Sequence, residues 1–447
     1  MTLKHTFLLF ALSTSLALAA QNKTYLKIKE YFKATLAEQQ AEIPAEFNKK
    51  KHDRQIVWKA WCDAVAEITT NTLPSPDSLA NAKKHSWHLP DSLEPNATLN
   101  FYYGTKGNPP ARSLPLFIYL HGSGPREREW ATGLKICNNF DDSPSTYFIP
   151  QIPQEGQWYR WYQKSKQWAI ERLLRLAMTQ DNIDPCRIYL FGISEGGYGS
   201  QRLASYYADY LAAAGPMAGG EPLKNAPAEN CGNIGFSLLT GDKDFGFYRN
   251  TLTTYTKQAF DSLSNKYPNL YRHNIELLKD MGHAINYNLT TPWLKTFSRT
   301  PYPSQFIWED FEMDGRHRNG FYNIAVDKRP STDNNTRTRY EYSITNNTIH
   351  LNISDIEYTC VEKDPNWGIE MKFSRSYKPS NSGKITIFLN FIMADLNKNV
   401  TVLINGKEVY NAKPRLTTAA MLKSLATFGD PMRIFPTAIE IEIPSQP

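Results

Sequence analysis

The hexapeptide Gly192-Ile193-Ser194-Glu195-Gly196-Gly197 sets a serine among small residues, directly after the apolar run Ile188-Tyr189-Leu190-Phe191. A strand turning sharply into a helix holds such a hydroxyl exposed, and glycines on either side let strand and helix approach without a clash. A serine hydroxyl attacks a carbonyl only when a base removes its proton, and the base needs a third group to orient it. Two later segments supply those groups. Leu238-Leu239-Thr240-Gly241-Asp242-Lys243-Asp244 is an apolar strand breaking into an acidic loop, and Asp280-Met281-Gly282-His283 follows the next strand-like run. The expected chemistry is acyl transfer through Ser194, with His283 as general base and either Asp242 or Asp244 as its partner. The other aspartate then serves as a turn residue bonding loop N–H groups, and Asp280 falls on a surface loop. The competing reading makes Ser194 the N-cap of an ordinary glycine-rich helix start.

Attack on a carbonyl generates a negative oxygen, which two backbone N–H groups can hold. One donor is expected at Glu195, immediately after the serine. The other is expected in His121-Gly122-Ser123-Gly124, which follows the apolar run Leu114 to Leu120, with Gly122 and Ser123 as candidates. His121 competes with His283 as the base but is better read as bracing its loop through a hydrogen bond. The Glu195 carboxylate favours the helix start and could repel a carboxylate product. Gln154 to Trp168 is rich in aromatic and basic residues; Trp158 and Trp161 are candidates for stacking on sugars and Arg160 for a bidentate grip on a carboxylate. Trp168 reads as core, and Arg126 and Arg128 are further candidates.

These residues need a scaffold that brings loops to one sheet edge. Apolar residues at helical spacing predict helices between 23 and about 70, broken near Pro44, and 71–96 reads as a connecting segment. From 97 to 300 strands and helices alternate, which predicts a parallel sheet with helices on both faces. Strands are expected at 99–103, 114–120, 147–150, 187–191, 234–240 and 274–278, and helices at 163–178, 195–210, 248–263 and 291–297. From 306 to 447 short alternating segments predict a small all-β accessory domain of sandwich type, with Asn405-Gly406 as a hairpin turn.

Together, the His-Gly-Ser-Gly loop, Gly-Ile-Ser-Glu-Gly-Gly, Gly-Asp-Lys-Asp and Met-Gly-His resemble the motifs of secreted bacterial α/β-hydrolase serine esterases, over residues 97 to 298. Within that group the chain is similar to carbohydrate esterases that remove methyl, acetyl or feruloyl esters from plant polysaccharides. The resemblance implies the α/β-hydrolase fold, selects Asp244 as the acid through the Gly-x-x-Asp loop, and implies no cofactor and no metal. Its leading substrate is the methyl ester of pectin, with acetyl and feruloyl esters next.

The 447 residues carry a net charge of +6 and contain 5 cysteines. Such a length suits two domains. The charge is scattered apart from Lys49-Lys50-Lys51, so no nucleic-acid partner is expected. An odd number of cysteines without a Cys-x-x-Cys pair argues against a zinc or redox site, and Cys186 with Cys231 is a conceivable disulfide. Residues 1–20 have the layout of a secretory signal peptide, too short and too polar to span a bilayer. The expected mature chain, secreted or periplasmic and without a membrane span, comprises a helical segment and linker (21–96), a catalytic domain (97–300) and the accessory domain (306–447). Its expected partner is a polysaccharide or oligosaccharide ester. Two alternatives compete: a serine peptidase of the prolyl-oligopeptidase kind, disfavoured because 21–96 is too short for a β-propeller, and a non-catalytic carbohydrate-binding protein.

Overall fold

The computed structural model describes residues 22–445 except 40, 50, 69–71, 109–112, 332 and 334–335; the signal-peptide segment lies outside the described residues. Two helices come first, α1 (22–36) and α2 (Arg54–Ile68). The nine-stranded sheet that follows is built from β1 (Asp77–Ser78), β2 (Lys84–His88), β3 (Thr98–Lys106), β4 (Leu114–Leu120), β5 (Ser145–Pro150), β6 (Ile183–Ile193), β7 (Ala213–Met217), β8 (Gly235–Gly241) and β9 (His273–Leu278). Its order is β1-β3-β5-β4-β6-β7-β8-β9, with β2 also pairing with β3. From β5 to β9 all pairs are parallel, whereas β3 runs antiparallel to β5. This is the α/β-hydrolase sheet. Strands buried on both faces read as continuous apolar runs, which is why all seven residues of β4 are buried.

Alternate side chains of each strand enter opposite layers. Leu116, Ile118 and Leu120 join a core with α4 (Lys164–Met178), α5 (Glu195–Tyr207) and α6 (Arg249–Lys266). Phe117 and Tyr119 face the other side, with α3 (Arg126–Asn139) and α7 (Thr290–Leu294). The segment 71–96 is not a plain linker, because β1 and β2 extend the sheet and Trp87 stacks on Phe148 in its core.

The C-terminal unit contains two sheets. One joins β10 (Gln305–Asp310), β13 (Thr336–Thr345), β14 (Thr348–Lys363), β15 (Glu370–Pro379), β17 (Val400–Ile404) and β18 (Lys407–Ala412); the other joins β11 (Gly320–Phe321), β12 (Ile324–Lys328), β16 (Lys384–Leu389) and β19 (Thr437–Glu442). They face each other as a sandwich, with Trp308 of one sheet stacked on Phe321 of the other at 5.4 Å. The expected all-β composition needs correcting, since α8 (Thr418–Phe428) lies between the sandwich and α2. Thr417 caps α8 by accepting from the Ala420 N–H, and Gly429 ends it with a positive φ. A side chain on Gly429 would crowd Trp61 of α2. None of the five cysteines is bonded to another, so the Cys186–Cys231 pairing is not made. No helix among the described residues is long and apolar enough to cross a membrane.

The hydrolase and C-terminal units meet at a buried ionic cluster. Asp430 accepts from Arg299 at 2.8 Å and from Arg433 at 2.7 Å, Arg318 reaches Asp209 at 2.9 Å, and Arg433 also pairs with Asp209. The Arg433 guanidinium lies 4.1 Å from the Tyr210 ring centroid and 4.4 Å from that of Phe428. Burial pushes the Asp430 carboxyl upward, but Arg299 and Arg433 outweigh it and hold it at about 2. Removing one partner of a buried ion pair strands the others without compensation, so Asp430→Ala should lower stability by about 3–5 kcal/mol. Equilibrium denaturation checks this, and an unchanged midpoint would contradict a structural role for the cluster.

Candidate active site

Ser194 sits between β6 and α5 with φ 58° and ψ −113°, a conformation that a non-glycine residue adopts only when its surroundings enforce it. The enforcement is visible. Ser194 donates its backbone N–H to the Met217 carbonyl at 3.0 Å, and a methyl group on Gly196 would collide with the Leu120 carbonyl. Glycine at 192 is equally required, because a side chain there would strike the Gly196 carbonyl. The hydroxyl therefore stands at the carboxyl edge of the sheet, at the amino end of α5.

His283 comes from the loop after β9. Its Nε2 lies 3.0 Å from Ser194 Oγ and its Nδ1 lies 2.8 Å from Asp244 Oδ2. Asp244 is thus the aspartate brought to the histidine. Asp242 instead lies in the turn, where its N–H donates to the Leu278 carbonyl and its carbonyl accepts from Asn250. Asp280 forms a surface pair with Lys243 at 2.7 Å. The acid and histidine loops are pressed together at Gly241, where a side chain would overlap the carbonyls of Met281 and Gly282.

Arg249, on the first turn of α6, was not singled out from the sequence. Its Nε lies 2.9 Å from both Asp244 oxygens, its Nη2 lies 2.6 Å from Oδ1, and its Nη1 donates to Tyr198 Oη at 3.2 Å. Burial raises the Asp244 carboxyl, but hydrogen bonds from Arg249 and His283 outweigh it and hold the group below the usual carboxylate range. A permanently charged partner keeps the acid ionised and oriented, the condition under which it can align an imidazole. Spacing alone gives no signal for this contact beyond an arginine five residues after the acid.

The 121–124 loop lies against the serine, with the position a Gly122 Cβ would take only 3.4 Å from Ser194 Cβ. Its carbonyls are turned away from the site by buried donors. Trp161 Nε1 donates to the His121 carbonyl at 2.9 Å, and Tyr159 Oη donates to those of Gly122 and Gly124 at 3.0 and 3.2 Å. His121 is fully buried, and burial pushes its imidazole down to about 4. The neutral ring accepts from the Ile152 N–H through Nε2 at 3.1 Å and donates to the Gly122 carbonyl through Nδ1 at 2.7 Å, the tautomer its partners require. His121 is accordingly a brace for the loop.

Of the expected substrate contacts, Trp161 is corrected. It is 1 % exposed, packed behind the loop, and acts through its N–H rather than its ring face. Trp158 is half-buried with the Lys166 ammonium over its ring. Arg160 stays at the site: its side chain is 49 % exposed and its Nη1 is 3.5 Å from Glu195 Oε2. Arg126 bonds the Pro153 carbonyl and so ties α3 to the adjoining loop. A cavity of about 430 Å³ lies away from the triad, between the N-terminal helices, α4 and the C-terminal unit.

No family model matches the chain, and no curated protein sequence matches it. Among solved structures it is similar to a thermostable esterase, at 18 % identity and TM-score 0.38, over 49 % of this chain and 64 % of that one. It is also similar to a ferulic acid esterase from Anaeromyces mucronatus, at 14 % identity and TM-score 0.36, over 48 % of this chain and 90 % of that one. A third is an S-formylglutathione hydrolase from Agrobacterium tumefaciens, at 13 % identity and TM-score 0.36, over 50 % and 96 %. Likenesses this distant carry no chemistry across; strand order and the strained serine turn identify the α/β-hydrolase fold.

Burial raises the Glu195 carboxyl to about 7 against the opposing pull of Arg160, and its Oε1 has no hydrogen-bond partner among the described residues. A carboxyl raised on folding favours the folded state while protonated, and that contribution is lost as pH rises from the unfolded value through about 7. Glu195→Gln should therefore match the parent protein below pH ~4.5 and become more stable than it by up to about 3 kcal/mol above pH ~7. Thermal or denaturant melts across that interval test this, and parallel curves at every pH would contradict it.

Proposed function

We propose that this chain is a serine carboxylic-ester hydrolase. The observation that carries the reading is the continuous line from Ser194 Oγ through His283 to Asp244, with contacts of 3.0 and 2.8 Å, at a serine held in a strained turn. His283 Nε2 takes the Ser194 proton as Oγ attacks the ester carbonyl. The ring then carries its positive charge against the Asp244 carboxylate, which Arg249 keeps oriented. The oxyanion is held by the Glu195 N–H, which has no intrahelical acceptor as the first N–H of α5, and by an N–H of Gly122 or Ser123. Loss of a single such donor costs about 10²- to 10³-fold in rate. Collapse of the intermediate breaks the ester C–O bond as His283 protonates the departing alkoxide. Water, deprotonated by His283, then attacks the acyl-enzyme, the Ser194 C–O bond breaks, and the carboxylic acid leaves as Oγ regains its proton.

The substrate class we favour is an ester decoration of a plant-type polysaccharide met outside the cytoplasm, with pectin methyl ester first and acetyl or feruloyl esters next. The support is chemical. Arg160 is half-exposed beside Glu195, where a neighbouring uronate carboxylate could pair with it, and the chain is positively charged overall. The signal-like first twenty residues support export.

Purified protein incubated with pectin and with acylated xylan should release methanol, acetate or ferulate, and Ser194→Ala should reduce that release by at least about 10³-fold. Methanol from pectin supports the pectic reading; acetate or ferulate replaces the substrate and keeps the mechanism. If no ester is cleaved in a Ser194-dependent manner, the ester-hydrolase reading fails.

A further inference from the structure

The β14–β15 hairpin extends past its sheet. β13 pairs with β14 only as far as Glu357, whereas β14 runs on to Lys363 and β15 returns from Glu370. A two-stranded ribbon is marginal by itself in water, and this one is docked on the hydrolase unit. Tyr255 of α6 donates to the Glu362 carboxylate at 2.9 Å, the Lys372 ammonium lies over the Tyr255 ring, Lys224 pairs with Glu370 at 3.3 Å, and Arg375 pairs with Glu229.

The ribbon ends at the loop that carries the catalytic acid. At its tip the Asp364 carboxylate accepts the Trp367 N–H, and Asn366 Nδ2 donates to Tyr248 Oη at 3.3 Å. The Trp367 and Phe247 ring centroids are 4.7 Å apart with their planes inclined at 51°. Phe247 and Tyr248 both have positive φ, at 52° and 57°, a conformation that bulky residues adopt only where their surroundings enforce it. That strained turn projects Phe247 outward between Asp244 and Arg249, whose guanidinium lies 5.6 Å from the Phe247 ring. Trp367 is 63 % exposed, Phe247 46 % and Phe245, on the same loop, 68 %. Large aromatic side chains held in this way at a water-facing rim are matched to a ligand with an apolar face.

We infer that Phe247 and Trp367 form a remote carbohydrate subsite, built jointly by the acid loop and the C-terminal unit, that stacks on a sugar ring of the polymer whose ester is cleaved. This rests on the ester-hydrolase reading. Contacts link Phe247 to Ser194 by way of Arg249, Asp244 and His283, and the subsite takes a sugar of the polymer rather than the reacting ester. The rim favours a sugar over a purely apolar partner. Asn366 and Tyr248 Oη lie beside the rings, and they can meet hydroxyl groups while the C–H face of a pyranose covers the aromatic surface; the buried Asp364 carboxylate instead fixes the turn that carries Trp367.

The test compares kcat/KM on acetylated xylan and pectin with kcat/KM on 4-nitrophenyl acetate, for the full chain and for Trp367→Ala and Trp367→Phe. The expected result is that the polymer-to-small-ester ratio falls about tenfold in Trp367→Ala through KM, and is largely kept in Trp367→Phe. An unchanged ratio overturns the subsite, as does an equal fall on both substrates. A selective loss on feruloyl esters with acetyl polymer untouched also overturns it, because the platform would then take an aromatic acyl group. Failure of the ester reading is told apart by calorimetric titration of Ser194→Ala with pectic and xylan oligosaccharides. Binding that weakens when Trp367→Ala is added supports the subsite even without ester turnover, and binding indifferent to Trp367 overturns it.

Discussion

Three guanidinium groups and two carboxylates, held out of water where the two units meet, are the constraint on which the rest of the molecule depends. Desolvating so many charges is expensive, and they persist only because Asp209 and Asp430 each bridge two arginines while aromatic rings complete the shell around Arg433. Asp209 lies just beyond the end of α5, the helix that begins at Ser194. The same rod therefore carries Ser194 at one end and anchors the C-terminal sandwich at the other. With the sandwich fixed in this way, its long hairpin can be laid along α6 and its tip brought to the acid loop.

Around the serine, order comes from turning polar backbone in chosen directions. Three carbonyls of the 121–124 loop are engaged by His121, Tyr159 and Trp161, which fixes the loop beside Ser194. Arg249 plays a comparable part for the acid, because a carboxylate fixed by three donor contacts reorients little when the histidine beside it gains charge. Glu195 is the exception to this satisfied arrangement. Its buried, unpartnered oxygen beside Ser194 leaves its ionisation near neutrality.

The elements that read clearly from sequence were those whose local pattern and tertiary environment agree. Strands such as Leu114–Leu120, apolar throughout, and α4, with its marked apolar stripe, are of that kind. Those that escaped lack such agreement. The α3 sequence opens Arg-Glu-Arg-Glu and buries only Trp130, Gly133 and Cys137, while β2 is Lys-His-Ser-Trp-His with a single buried residue. The α8 segment is apolar enough for either strand or helix, and its helix is settled by the Thr417 cap and by packing on α2. Trp161 misled because an aromatic residue beside an arginine carries the same letter whether its ring faces solvent or the back of a loop.

By itself, then, the sequence determined the sheet-forming runs, the serine turn and the histidine and acid loops, because these depend on local sterics and on periodic burial along one stretch of chain. The tertiary structure alone recruited Arg249, moved Trp161 into the interior and brought Trp367 to the acid loop from 120 positions away in the chain. Each of those outcomes depends on distances across space between segments remote in sequence or on which way a side chain points out of a turn, and neither quantity is encoded in residue type and spacing.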